Sequence, residues 1–167
     1  LAFRVAGKYE SRDGYGANLV TGNPVDDRDA YALRGSLRAN VTPDLELLVV
    51  ADHFREDDYN YAFHYFGPTV APEAALPGPL LGGETINDYY ANLGQRVDNR
   101  NVYSNEDAIN DRKGTSVQAI ATLDKGSFTL TSTTAYRKFE RFNRNDLDVT
   151  NVNAFGQNNY TEDSESF

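Results

Sequence analysis

Asp29-Ala-Tyr31-Ala-Leu33-Arg34-Gly-Ser-Leu37-Arg38-Ala39-Asn-Val41-Thr42-Pro43-Asp44-Leu45-Glu-Leu47 is the stretch on which the fold turns. Over 30–41, Tyr31, Leu33, Leu37, Ala39 and Val41 alternate with Arg34, Ser36, Arg38 and Asn40. A period of two predicts a strand with one apolar and one polar face. Thr42-Pro43-Asp44 then predicts a tight turn, because the proline ring fixes φ. In 45–56, Leu45, Leu47, Val49 and Ala51 face one way, while Glu46, Leu48, Val50, Asp52 and Phe54 face the other. Two strands joined this closely must pair antiparallel.

The same device recurs on both sides. In 1–10, Leu1, Phe3, Val5 and Tyr9 oppose Arg4, Lys8 and Glu10. In 114–124, Val117, Ala119, Ala121 and Leu123 oppose Gln118, Ile120 and Thr122. In 126–142, Phe128, Leu130, Thr134 and Tyr136 oppose Thr129, Thr131, Thr133 and Arg137, after a second tight turn at Asp124-Lys125-Gly126. The chain therefore predicts an all-β, antiparallel up-and-down meander of about five strands. Between them lie long segments at 11–29, 57–112 and 143–163, rich in Asn, Asp, Gly and Pro. Short and long connections alternate, so every tight turn falls at one end of the sheet and every long loop at the other. Structureless loops beyond about 12–15 residues are uncommon in compact soluble domains, whereas short turns on one rim and long loops on the other describe outer-membrane barrels.

Composition narrows the class. The 167 residues carry 25 acids and 16 Lys or Arg, a net charge of −9, with no Cys, Met or Trp. Without cysteine there is neither a disulfide framework nor a thiolate metal site. A sequence pI near 4.6 and a mean hydropathy of −0.60 argue against a nucleic-acid partner and offer no apolar run of transmembrane-helix length. A start at Leu1, with neither methionine nor leader, is expected of an excised piece. The acidity belongs to the loops: 57–112 alone holds nine acids against three bases, and the strands with their tight turns are net basic.

Alternation does not by itself say what covers the apolar face. A β-sandwich turns it inward, and a membrane barrel turns it to lipid. Strands of about ten residues with Phe3, Tyr9, Tyr31, Phe128 and Tyr136 toward their ends fit a membrane wall. A secreted sandwich that binds carbohydrate is the alternative.

At this point the residues resemble a family. Arg4-Val-Ala-Gly7-Lys-Tyr9, Arg12-Asp13-Gly14-Tyr15 with Asn18 and Gly22, and Asp29 through Arg38 resemble early-to-middle barrel strands of TonB-dependent outer-membrane receptors. Asp44-Leu45-Glu-Leu47 leading to Asp52 resembles the strand that follows, and Leu130-Thr-Ser132-Thr-Thr134-Ala135-Tyr136-Arg137 a later one. Ser164-Glu165-Ser166 is similar to the opening of the next. The resemblance implies residence in the outer membrane of a Gram-negative bacterium and uptake of a scarce nutrient such as a ferric siderophore. Its partners would be membrane lipid, the rest of the barrel, a plug domain, the TonB energy-transducing complex and a small-molecule ligand. The family's barrel has about 22 strands around a plugged lumen. No plug is visible here, and five strands cannot close even the smallest barrel of about eight, so 1–167 reads as a partial barrel domain.

The candidate ligand contacts are Tyr59, Tyr61, Phe63 and Tyr65, which share one face at strand spacing and would form an aromatic wall at the loop rim. The plainer reading is that strand 45–56 runs on and these rings pack beneath their own loop. Asp26-Asp27-Arg28-Asp29 and Asn143-Arg-Asn-Asp146-Leu-Asp148 lack the spacing of a calcium loop and read as turn chemistry. His53 is read as a strand-end residue and His64 as a loop residue. Neither histidine belongs to a metal motif, and no nucleophile elbow, zinc helix or phosphate loop is present. The expectation is a non-enzyme without cofactor or metal. Arg4, Arg34, Arg38, Arg137 and Lys138 are candidate lumen or rim charges, balanced against cross-strand pairing with Asp52, Glu46 or Glu140.

Overall fold

The computed structural model describes residues 1–59, 62–68, 83–93, 100–153 and 157–167. Its body is one six-stranded antiparallel sheet: β1 (Ala2–Arg12), β4 (Arg28–Thr42), β5 (Leu45–Asp58), β6 (Ile109–Asp124), β7 (Thr129–Asp146) and β8 (Gln157–Ser166), paired in that order. A two-residue ribbon, β2 (Gly16–Ala17) with β3 (Pro24–Val25), lies between β1 and β4, and α1 (Ile86–Leu93) lies between β5 and β6. The meander is as expected, with six strands rather than five, and it is an open sheet rather than a closed barrel.

Both tight turns sit at one end, as their chemistry requires. Pro43 and Asp44 join β4 to β5, and Gly126 takes φ +77° in the β6–β7 turn. That positive φ takes 126–128 out of the strand expected to begin there; β7 starts at Thr129. The amide of Asp124 donates to the Asp44 carbonyl at 2.9 Å and Lys125 Nζ meets Asp44 Oδ2 at 2.7 Å, so the two turns brace each other.

The other end is more structured than the sequence reading allowed. β1 and β4 reach Arg12 and Arg28, leaving 13–27 for the ribbon. Within 57–112, residues 57–58 extend β5, 109–112 open β6, and 86–93 are helical. The segment expected as a loop over 143–163 is instead mostly ladder: β7 runs to Asp146 and β8 begins at Gln157. The helix starts on a capping box, with Thr85 Oγ1 accepting from the Asp88 amide at 3.1 Å and the Thr85 amide donating to Asp88 Oδ2 at 3.2 Å.

Register assigns the two faces. Phe3 pairs with Leu37, Leu37 with Val49, Val49 with Ala119 and Ala119 with Thr134. Val5, Leu33, Leu47, Val117, Leu123 and Leu130 share this face. It is uncovered: Phe3 is 81% exposed, Val5 75%, Leu130 60% and Leu37 45%. The described residues form no second sheet over it. Toward the loop end the same face turns polar, with Arg55–Asp57 at 3.0 Å and Glu140 bridged to Lys113 at 2.7 Å and Lys138 at 2.8 Å. On β4 the apolar side chains run from Tyr31 to Val41. That stretch measures roughly 34 Å along the strand and about 26 Å along a membrane normal at a tilt of about 40°.

Candidate functional site

Above the sheet's polar end, the loops form a layer held by buried hydrogen bonds more than by apolar contact. The Asn18 side chain, 1% exposed, donates to Asp107 Oδ1 at 3.0 Å and accepts from the amides of Val20 and Ser104. Asp107 also receives Thr21 Oγ1 at 2.5 Å and Asn23 Nδ2 at 2.6 Å. Ser104 Oγ lies 2.5 Å from Asp146 Oδ2 and ties this layer to the end of β7. The ribbon's close approach to 100–102 needs Gly16, where a β-carbon would collide with the Arg100 carbonyl. Among the described residues the space enclosed by Asn18, Val25, Tyr59, Asp107 and Asp146 amounts to about 10 Å³, little more than one water.

Three of the four aromatic candidates, Tyr59, Phe63 and Tyr65, lie within the described residues. β5 stops at Asp58, and 62–66 are not strand, so period-two spacing does not set these side-chain directions; Tyr59 and Phe63 both line the small space beneath the loops. Tyr59 is fixed by its backbone: its amide donates to Asp27 Oδ1 at 2.6 Å and its carbonyl accepts from the Asp26 amide at 2.8 Å. Phe63 is exposed, and Tyr61 lies outside the described residues. Tyr65 turns toward α1, stacking on Tyr90 at 4.0 Å and 10° while its hydroxyl donates to Asn87 Oδ1 at 2.9 Å. His64 Nε2 sits 2.9 Å from Asp26 Oδ2. His53 is not at a strand end: it pairs with Leu33 and Thr115 within β5, its Nδ1 2.8 Å from Thr115 Oγ1.

A different aromatic cluster appears. Tyr90 is buried between Tyr65 and Tyr89, with Tyr103 next to Tyr89, and its hydroxyl donates to the Val149 carbonyl. Burial pushes the Tyr65, Tyr89 and Tyr90 phenols above the ordinary tyrosine range, Tyr90 furthest. Hydrogen bonds from Thr85 hold the Asp88 carboxyl below its usual range. The signal for α1 was Thr85-x-x-Asp88, and its adjacent Tyr89 and Tyr90 lay unread inside the long loop.

The polar face of the sheet holds the charged candidates. Arg28 meets Glu56 at 2.5 Å and Asp58 at 3.2 Å, and Arg112 joins Glu56 from the next strand. Lower on that face, Arg38 pairs with Glu46 at 2.6 Å, as cross-strand pairing predicts. Arg4, Arg34 and Arg137 make no ion pair among the described residues, and Asp52 accepts from Ser116 Oγ at 2.7 Å. Lys138, beside Arg137, necessarily lies on the opposite face, in the charged row with Glu140. Among the described residues no helix is long and apolar enough to cross a membrane, which leaves strands untouched, and no group of three His, Asp or Glu is placed to hold a metal ion.

No protein-family model, curated protein or solved structure matches the chain.

Proposed function

We propose that this chain is a segment of the wall of a TonB-dependent receptor in the outer membrane of a Gram-negative bacterium. In this role its apolar face meets lipid, its polar face lines the lumen, and its loops meet a scarce small ligand such as a ferric siderophore. No covalent chemistry is assigned to it. The observation that carries the reading is the uncovered apolar face, which gives way to charge toward the loop end on a meander whose tight turns all lie at the other. A band about 25 Å tall is what such walls present to lipid. Both sheet edges, β1 and β8, are free to pair with further strands. The carbohydrate-binding sandwich would need a second layer over Phe3, Leu37 and Leu130, and the described residues supply none.

Expressing the full chain with and without detergent tests this. The expected result is strand-rich circular dichroism in micelles or vesicles and aggregation in plain buffer. A soluble, monomeric, cooperatively folding chain in buffer would remove the proposal.

A further inference from the structure

On β1 and β4 the polar face carries three neighbouring cations for which the sheet provides poor partners. Arg34 stands in register between Ala6 on β1 and Asp52 on β5. Asp52 is engaged by the Ser116 hydroxyl, and no ion pair joins it to Arg34. Arg4 and Lys8 lie two residues to either side of Ala6, so both are diagonal neighbours of Arg34. Arg4 has no acid partner among the described residues, and Lys8 reaches only Glu10, at 2.9 Å in an exposed pair. Like charges at such spacing repel, and small neighbours leave room between them. Two hollows meet at Ala6 and Arg34. One, of about 330 Å³, also takes in Lys8, Ala32, Phe54 and the Asp52 that Ser116 engages. The other, of about 290 Å³, also takes in Arg4, Ser36 and Val50.

We infer that Arg34, with Arg4 and Lys8, forms a binding site for the carboxylate or phosphate group of a small anionic ligand moving along this wall. The guanidinium fork of Arg34 supplies paired donors matched to an oxyanion, and Arg4 and Lys8 close on it from β1. Apolar Phe54 and Val50 beside the hollows favour a ligand with a carbon skeleton over a bare ion. The chain's charge of −9 works against adventitious anion binding, so selectivity must arise locally. The inference rests on the reading of this face as a lumen wall, and it names the charge of the cargo.

The test is titration of the full chain, in detergent micelles at low salt, with citrate, with inorganic phosphate and with an octaglutamate peptide. Saturable citrate or phosphate binding is expected, weakened about tenfold or more in Arg34→Gln and partly recovered in Arg34→Lys. Arg55→Gln, on the opposite face, should leave it unchanged. Absence of small-anion binding, equal loss in Arg55→Gln, or binding of octaglutamate alone overturns the inference, the last marking the face as a seat for an acidic protein segment. A chain that needs no detergent fails the wall reading, whereas one that needs it and ignores citrate and phosphate fails only this site.

Discussion

Placing arginine at Leu37 tests the assigned facing most directly. Leu37 is on β4, one residue from the midpoint of the Tyr31–Val41 apolar stretch, and its neighbours on either side are Phe3 and Val49. If lipid covers this face, Leu37→Arg puts a guanidinium near the bilayer midplane at a cost of about 2–4 kcal/mol. The same replacement at Tyr31, at the edge of the stretch, should cost only about 0–1 kcal/mol, because an interfacial arginine reaches headgroups and water. The depth gradient is the diagnostic quantity. A core-facing position in a soluble sandwich would penalise charge without regard to height, and a solvent-facing one would change stability by less than about 0.5 kcal/mol. The assay is urea unfolding of vesicle-reconstituted chain by far-ultraviolet circular dichroism, since the chain contains no tryptophan to report by fluorescence. Equal costs at Leu37 and Tyr31, or none at either, would refute the facing.

Three further outcomes follow from local geometry. Gly114 faces Phe54 across the β5–β6 ladder, and a β-carbon there collides with the ring, so Gly114→Val should destabilise by about 1–3 kcal/mol in thermal melts. Glu56 is buried between Arg28 and Arg112, and Glu56→Ala removes the carboxylate they share, leaving Arg28 to Asp58. A loss of about 3 kcal/mol is expected in urea titrations, with Arg28→Ala of similar size because the buried Asp58 then loses its cation. Tyr90→Phe removes the hydroxyl bond to Val149, and faster amide exchange over 146–153 should reveal a loss of about 1 kcal/mol. Burial raises the Tyr90 phenol, so the native state keeps its proton longer than the unfolded chain does. The loop layer should therefore weaken as pH rises past about 10, with Tyr90 the last phenol to ionise in a 295 nm titration.

The lower half of the sheet was legible because one face is apolar, the other polar and the turns are specified. Leu33, Leu37 and Val41 alternating with arginines, followed by Pro43, leave few alternatives. The extensions of β7 and β8 were illegible for a physical reason. Past the apolar band both faces are polar, so Asn143 and Asn145 on one side and Arg144 and Asp146 on the other carry no hydrophobic period. What makes them strand is pairing, Asn143 with Asn110 and Tyr160, Asn145 with Asn158. The strand-like spacing from Tyr59 to Tyr65 lies past the end of β5 at Asp58, where backbone contacts of Tyr59 with Asp26 and Asp27 replace the ladder. Thr85-x-x-Asp88 carries the start of α1 in the sequence itself.

The two ends of the sheet are held together by different physics, and that difference orients the chain. At the loop end the most deeply buried of the described side chains are Asn18, Asn110 and Thr150, all polar, so buried hydrogen bonds and ion pairs contribute to cohesion there beside Val25, Tyr90 and Val102. At the turn end no side chain among the described residues packs over Phe3, Leu37 or Leu130, and the ladder leaves an exposed apolar face. In the proposed wall, lipid covers it. The opposite face of that wall does not suit lipid, because Arg4, Arg34 and Arg137 would each cost about 2–4 kcal/mol at the midplane, together about twice what Val50 and Leu48 would return at about 1.5–3 kcal/mol each. In the proposed wall only one orientation therefore satisfies both surfaces, with Leu37 outward, Arg34 inward, and the acidic loops beyond the band.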